Sequence, residues 1–159
     1  MARSRMILPL LGAAVLGISA LSWANKPTPA TRYVVSTKEA PRYLLPNGQG
    51  SATLLLNAST GASAASLGLL ELSKGARAPE HSHDTSAEVL YVEDGAVELI
   101  VDGQKVQAGR GDAVYIPAGA KHSVVVVSEV PFRAVQVYVG PGPEQRFTQG
   151  QRVDKKDGN

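Results

Sequence analysis

Short apolar runs follow one another along the chain from about residue 30 onward, and turns containing glycine or proline separate them. Valine recurs in these runs, often beside polar residues, which is typical of β-strands. No window keeps an apolar period of about 3.6 residues together with helix caps, so we expect helices to be minor. The runs predict strands at Arg32–Thr37, Arg42–Leu45, Ser51–Leu56, Ser66–Leu72, Glu88–Val92, Ala96–Val101, Lys105–Val106, Ala113–Ile116, Ser123–Val127 and Phe132–Val139.

The spacing of these runs predicts the fold class. Many short strands about 8–12 residues apart, with turn residues between them, are typical of an antiparallel β-sandwich or β-barrel. Asp102-Gly103 is a strong signal for a two-residue hairpin turn. The sequence has no internal repeat, so we expect one barrel. Residues 58–65 are interpreted as a loop, with a helical turn as the alternative, and the segment from Gly140 onward as a loose tail.

The first 24 residues have the features of an export signal. Arg3 and Arg5 precede an uncharged apolar run, and Ser22 and Ala24 stand at the positions that a signal peptidase requires. The alternative is a membrane anchor, because about 18 apolar residues can just span a bilayer. Proline and glycine within the run favour cleavage. Because the two arginines are not adjacent, we expect the general secretory route, which delivers a bacterial protein to the periplasm or the exterior.

The expected organisation is a signal peptide at 1–24, a flexible proline-rich leader at 25–30, a β-barrel domain at 31–147 and a flexible C-terminal tail at 148–159. The whole chain has 16 basic and 14 acidic residues and a formal charge of +2. Loss of Arg3 and Arg5 with the signal would bring this charge to zero. No cluster of basic residues is longer than a pair, so nucleic-acid binding has no support.

The remaining composition narrows the possible chemistry. Hydrophobic residues make up 43% and charged residues 19% of the chain, which excludes wholesale disorder. Cysteine is absent, which excludes disulfides, thiolate metal sites, cysteine nucleophiles and a lipoprotein anchor. Histidine occurs only three times, at His81, His83 and His122.

These three histidines form a candidate metal site with Glu88. His81 and His83 are two residues apart, and alternation in an extended segment sends both side chains to the same face. His122 comes later, directly after a turn-forming stretch. Three neutral nitrogens and one carboxylate suit a divalent first-row metal and leave open positions on an octahedral ion. The alternative is that each histidine is a separately satisfied polar residue.

Two motifs favour the metal site. Residues 75–95 (GARAPEHSHDTSAEVLYVEDG) match G-x5-H-x-H-x4-E-x6-G, and residues 111–122 (GDAVYIPAGAKH) match G-x5-P-x-G-x2-H. In order and spacing they resemble the paired motifs of the cupin superfamily. The resemblance implies a single jelly-roll β-barrel in which His81, His83, Glu88 and His122 hold one metal ion. One position departs from the pattern, because Val126 stands where the second motif usually has asparagine.

The resemblance does not choose the metal or the reaction. A divalent transition metal is expected, with zinc, copper or manganese favoured and iron or nickel as alternatives. We consider three functions: a small metal-dependent enzyme of the dioxygenase or oxidoreductase kind, a non-catalytic module that binds a sugar or organic acid, and a metal-storage or structural protein. In the first, Glu88 could serve both as ligand and as proton acceptor. Gln136, an isolated polar residue in its strand, could face the cavity or solvent.

The expected partners are few. A small-molecule ligand or substrate is implied, nucleic acid is not, and no stable membrane anchor is expected once the signal is cleaved. Cupins commonly pair through their sheets, so the resemblance implies a homodimer. Glu80, Asp84 and Glu98 lie near the motif in sequence, but solvated surface charges explain them better than catalysis does.

Overall fold

Strands account for most of the regular structure in the computed structural model, which describes residues 29–140 and 142–153. The predicted predominance of strands over helices is confirmed. The strands are β1 Arg42–Leu44, β2 Gly50–Leu56, β3 Ala65–Leu72, β4 Arg77–His81, β5 Ala87–Asp94, β6 Ala96–Val101, β7 Gln104–Gly109, β8 Ala113–Ile116, β9 His122–Val126 and β10 Phe132–Val139. Short 3₁₀ helices lie at Pro46–Gly48, Ala58–Thr60 and Pro143–Gln149.

The strands form two antiparallel sheets. The larger sheet has the order β1-β2-β3-β10-β5-β8, and the smaller has the order β4-β9-β6-β7. The chain crosses between the sheets several times, and strands distant in sequence, such as β3 and β10, become neighbours. The all-β fold with a single jelly-roll, predicted from the sequence, is therefore confirmed.

The hydrophobic core lies between the two sheets. Side chains of β10 alternate strictly, so that Phe132, Ala134, Gln136 and Tyr138 are buried while their neighbours face outward. On β5, Glu88, Leu90 and Val92 point inward in the same way. The smaller sheet contributes Val97, Leu99, Ala108 and Val126 to the same buried cluster. Two polar side chains, Glu88 and Gln136, thus stand on core-facing positions.

Two turns show why the sequence places glycine where it does. Asp102 and Gly103 have φ of 46° and 78°, which gives the tight hairpin between β6 and β7 that the sequence predicts. Gly95 joins β5 to β6 with φ of 76°, and a Cβ there would lie 2.8 Å from Phe132 Cα. Any larger residue at 95 would therefore collide with the start of β10.

One predicted strand is absent, and one strand of the structure is not predicted from the sequence. Arg32–Thr37 is not a strand: Tyr33 and Val34 are 92% and 83% exposed, and a turn begins at Thr37. An apolar pair without a neighbouring strand to bury it does not extend the sheet. Conversely, β4 was not predicted, because Arg77–His81 contains proline and glutamate and lacks alternation. It forms nevertheless, because it is an edge strand with an irregular register, where proline is tolerated.

The C-terminal segment also differs from the loose tail expected after Gly140. Residues Pro143–Gln149 form a 3₁₀ helix whose Phe147 is buried in the core. Farther on, Leu44 N–H donates to the Gln151 carbonyl, and Val153 N–H donates to the Arg42 carbonyl. The segment lacks strand or helix periodicity, so its packing against β1 had no local signal.

The predicted signal peptide at 1–24 and most of the leader lie outside the described residues, as do residues 154–159 of the predicted tail. The domain boundaries of the sequence analysis stay predictions. Within 29–140 and 142–153, no helix has the length and apolar character needed to cross a membrane.

Candidate metal centre

The four candidate ligands come together from both sheets. His81 is the last residue of β4 and His122 the first of β9, and the two are directly paired across the smaller sheet. His83 lies just beyond β4, in the connection to β5. Glu88 stands on β5 of the opposite sheet and points into the core. The four residues therefore lie together, as the sequence predicts.

The distances define a compact cluster. Nitrogen atoms of His81, His83 and His122 all lie within 4.8 Å of one another. Glu88 Oε2 is 3.2 Å from His83 Nε2 and 3.4 Å from His122 Nε2. The His81 and His122 rings have centroids 4.2 Å apart. Three imidazoles and one carboxylate therefore surround a single point.

The strongest observation is what these atoms lack. His81 Nε2, His83 Nε2, His122 Nε2 and Glu88 Oε2 are all buried and have no hydrogen-bond partner among the residues that the structure describes. A single buried polar group without a partner costs about 1–3 kcal/mol. Four such atoms facing one another are explained together if one cation satisfies all of them. The donor set, three nitrogens and one carboxylate oxygen, fits a divalent transition metal.

Backbone carbonyls orient two of the imidazoles. His81 Nδ1 lies 2.8 Å from the Pro79 carbonyl, and His122 Nδ1 lies 3.0 Å from the Ala120 carbonyl. A carbonyl oxygen only accepts, so each Nδ1 donates and carries the proton. The neutral ring then has its lone pair on Nε2, directed into the cluster. This is the arrangement by which proteins commonly fix a metal-binding histidine.

A hydrogen-bonded chain extends from Glu88 toward the C-terminal 3₁₀ helix. Gln136 Nε2 donates to Glu88 Oε1 at 2.7 Å and to Tyr138 Oη at 2.9 Å. Arg146 in turn donates through a terminal guanidinium nitrogen to Tyr138 Oη at 3.0 Å. Gln136 therefore holds one carboxylate oxygen and leaves the other facing the imidazoles.

Burial and neighbouring charge set the protonation of the cluster. Burial would raise the pKa of Glu88, but contacts with His122, His83 and Gln136 outweigh it and hold the pKa below its usual range. Burial lowers the pKa of His81. Burial also opposes the charged form of His122, yet Glu88 and the Ala120 carbonyl raise its pKa above the ordinary value. Glu88 is accordingly ionised at neutral pH.

A cavity of about 510 Å³ adjoins the cluster. His81, Glu88, His122 and Gln136 form part of its wall, so the cluster faces this space. Much of the remaining wall is aliphatic or aromatic and comes from both sheets and the C-terminal 3₁₀ helix: Leu44, Leu45, Leu70, Leu72, Leu90, Leu99, Ile116, Val124, Phe132 and Phe147. A volume of this order suits a small organic molecule.

The other acidic candidates lie outside the cluster. Glu80 and Asp84 are exposed, and Glu98 forms an outward ion pair with Lys105 at 2.7 Å. These positions agree with the interpretation as surface charges. Val126 is 3% exposed and packs in the core, so the position that departs from the motif is apolar and buried.

Sequence reasoning missed the contribution of the C-terminal 3₁₀ helix. Arg146 and Phe147 both line the cavity, and Arg146 contacts Tyr138. The only available signal was alternation along β10, which places Gln136 and Tyr138 on the face of Ala134. Nothing in the local pattern of residues 143–149 indicates that they cover a pocket.

Comparisons with known proteins agree with the fold and motifs. The family profile described as "Cupin domain" matches residues 68–138. The tetracenomycin polyketide synthase protein TcmJ of Streptomyces glaucescens is 35% identical over 89 residues, which are 55% of this chain and 60% of that protein. Quercetin 2,3-dioxygenase of Bacillus subtilis is 35% identical over 91 residues, 57% of this chain but 26% of that enzyme. The aligned region is thus less than two thirds of either relative.

A solved structure extends the likeness to most of the fold. KdgF from Halomonas sp. superposes with a TM-score of 0.61 at 16% identity, covering 73% of this chain and 99% of that protein. At this level of identity the similarity concerns the fold alone.

Proposed function

Since the chain belongs to the cupin superfamily, we propose that its cluster binds one divalent transition-metal ion. His81, His83 and His122 would bind through Nε2 and Glu88 through Oε2. The observation that carries this proposal is the convergence of these four buried atoms without hydrogen-bond partners. Zinc, copper or manganese is proposed ahead of iron or nickel, and a protein that folds outside the cytoplasm would acquire its metal by intrinsic affinity, which favours copper and zinc.

We further propose an enzyme of the dioxygenase or oxidoreductase kind that acts on a small organic substrate. A bound divalent metal supplies Lewis-acid polarisation of a substrate oxygen, and a redox-active one also supports oxidation. The chain supplies the largely apolar cavity beside the cluster and the Gln136 contact that holds Glu88 in place. The similarity to quercetin 2,3-dioxygenase supports this reaction class.

One observation favours a second candidate, a non-catalytic module that binds a small ligand. Among the residues that line the cavity, Glu88 is the only carboxylate, and it faces the imidazoles. An enzyme in which Glu88 is fully engaged as a ligand has no separate carboxylate base at this cavity. Turnover assays distinguish the two candidates directly.

Export is also part of the proposal. The basic start, the apolar run and Ala24 support a signal peptide that is cleaved on the way to the periplasm or exterior. We propose a homodimer as the assembled form, for which the family resemblance is the support.

Metal analysis tests the site. We expect about one equivalent of a transition metal in the purified protein and loss of most of it in His122→Ala, because three ligands hold an ion more weakly than four. Glu98→Gln, a carboxylate change on the outer face, is the matched control and should retain the metal. Undiminished metal in His122→Ala, or no transition metal in a wild-type protein offered zinc, copper and manganese, would contradict the assigned site.

Oxygen uptake tests the reaction. Metal-loaded protein is incubated with flavonols, catechols and small dicarboxylates, and dissolved oxygen is followed with an electrode. Uptake that depends on substrate and disappears in Glu88→Gln supports the enzyme. Saturable binding of one of these compounds without oxygen uptake or product supports the binding module instead.

A further inference from the structure

The charges around the cavity are unbalanced. Its wall contains three permanently charged or acidic side chains, Arg77, Glu88 and Arg146. Glu88 faces the imidazoles at 3.2 and 3.4 Å. Within the described residues, neither arginine forms an ion pair with a carboxylate. An apolar cavity with two cations and no available anion is suited to a ligand that carries the missing negative charge.

Arg146 is the better placed of the two arginines. Its hydrogen bond to Tyr138 Oη puts the guanidinium at the end of the cavity where Gln136 and Glu88 lie. A guanidinium has five N–H donors, and this contact uses only one. The Arg146 side chain is exposed, so the other donors are accessible to a ligand. Arg77, by contrast, stands on the edge strand β4, where its backbone N–H donates to Gln49 Oε1 at 2.8 Å.

The metal-ligand cluster and Arg146 border the same cavity. Arg146 lines the same cavity as His81 and His122. The guanidinium carbon also lies 5.0 Å from the centre of the Phe147 ring, which packs against the apolar wall. The guanidinium thus contacts both Tyr138, in the hydrogen-bonded chain that leads to Glu88, and the Phe147 ring of the apolar wall.

We propose that the ligand of this cavity is an apolar acid whose anionic group binds Arg146 and whose hydrophobic body lies against the aliphatic wall. The proposal deepens the proposed function, because it names the substrate class of the same cavity. Bidentate pairing with an anion is the interaction that guanidinium geometry favours. A cavity of about 510 Å³ accommodates an acid the size of a fused-ring aromatic or a medium-length aliphatic chain.

The test compares acids with their uncharged methyl esters. Isothermal titration calorimetry on the zinc-loaded full chain measures 1-naphthoate against methyl 1-naphthoate, and decanoate against methyl decanoate. We expect each acid to bind about tenfold or more tightly than its ester, the effect of one charge-assisted contact. Arg146→Gln should bring the ratio close to one, and Arg146→Lys should retain part of it. Arg77→Gln, which removes the other cation of the wall, should have a smaller effect than Arg146→Gln. Arg110→Gln is the matched control, because Arg110 is exposed and lies outside the cavity wall, and it should leave the ratio within about twofold.

Repeating the titrations without metal separates this proposal from that of the metal site. If the chain binds no zinc but Arg146→Gln still removes the preference for the acids, the ligand assignment stands and the metal site falls. If the preference disappears with the metal but survives in Arg146→Gln, the acid binds the metal and not Arg146, which overturns the proposal. Equal affinity for acid and ester in the wild type, failure of both acids to bind at millimolar concentration, or an equal loss in Arg77→Gln also overturns it.

Discussion

Replacing Gln136 with leucine tests how far the metal centre depends on the residue that holds Glu88. Gln136 uses its amide to donate to Glu88 Oε1 at 2.7 Å and to Tyr138 Oη at 2.9 Å, and its side chain is 4% exposed. Leucine has a similar volume but no donor. The substitution therefore leaves a buried carboxylate oxygen without its partner and frees the carboxylate to rotate away from the imidazoles.

The expected magnitude follows from the kind of contact that is lost. Removing a partner that orients a metal ligand lowers metal affinity about 10–100-fold, or about 1.4–2.7 kcal/mol. In the metal-free protein, the orphaned acceptor should reduce the free energy of unfolding by about 1–3 kcal/mol. Gln136 is also one of the contacts that hold the pKa of Glu88 low, so leucine should raise that pKa. Stability that the ionised Glu88 gives at neutral pH is lost on acidification, and the variant should have less of it to lose.

Two measurements check these values. Competition between the protein and a chromophoric chelator gives the zinc affinity, and urea denaturation of the metal-free forms at pH 7 and pH 4 gives the free energy of unfolding. Gln107→Leu is the control, because Gln107 is an exposed glutamine of β7 that makes the same chemical change far from the cavity wall. Zinc affinity in Gln136→Leu within about twofold of both wild type and this control would refute the reasoning.

Gly95→Ala should reduce the free energy of unfolding by about 2 kcal/mol or more, because the new Cβ would lie 2.8 Å from Phe132 Cα. Gly111→Ala should reduce it by only about 1 kcal/mol, because Gly111 has a φ of 91° but open space around the position of a Cβ. Urea denaturation of the two variants compares these values. Bound zinc should be released on acidification, because protons compete with the metal for the ligand nitrogens. Burial disfavours the charged form of His122, but Glu88 raises its pKa above the ordinary value, so this competition begins at a higher pH there. Equilibrium dialysis at stepped pH measures the release. Protein recovered from the periplasm should lack tryptophan emission, because the only tryptophan, Trp23, lies in the predicted signal; retained emission would contradict cleavage after Ala24.

The fold was predictable where burial imposes a period on the sequence. β10 reads as a strand because alternate residues from Phe132 to Tyr138 face the core, and the Asp102-Gly103 turn has the positive φ angles that this pair favours. Arg32–Thr37 has similar composition, yet it has no strand beside it, so Tyr33 stays in solvent. β4 is the opposite case. It forms because it pairs with β9 in the tertiary structure, although Pro79 makes its sequence untypical of a strand.

The convergence of the four candidate ligands was predictable from the sequence, but their surroundings were not. His81, His83, Glu88 and His122 stand at spacings that a motif can encode, because each is fixed by a strand end or a short connection. The sequence alone does not determine whether the Gln136 side chain faces the cavity or solvent. That depends on the register of β10 against β5, which places Gln136 beside Glu88. Arg146 lines the cavity because the 3₁₀ helix Pro143–Gln149 packs there. A seven-residue 3₁₀ helix has no apolar periodicity from which this packing could be predicted.

The position of the ligands links the proposed metal to the stability of the sandwich. His81 and His122 belong to the smaller sheet and Glu88 to the larger one, so an ion bound to all three would join the two sheets at one end of the core. The chain has no cysteine, so no disulfide can take this role. Without an ion, the same end holds an ionised carboxylate among imidazoles whose inward nitrogens have no partners. Binding of an ion would therefore satisfy groups that the fold has already desolvated, and it would couple metal affinity to folding stability through the same four atoms.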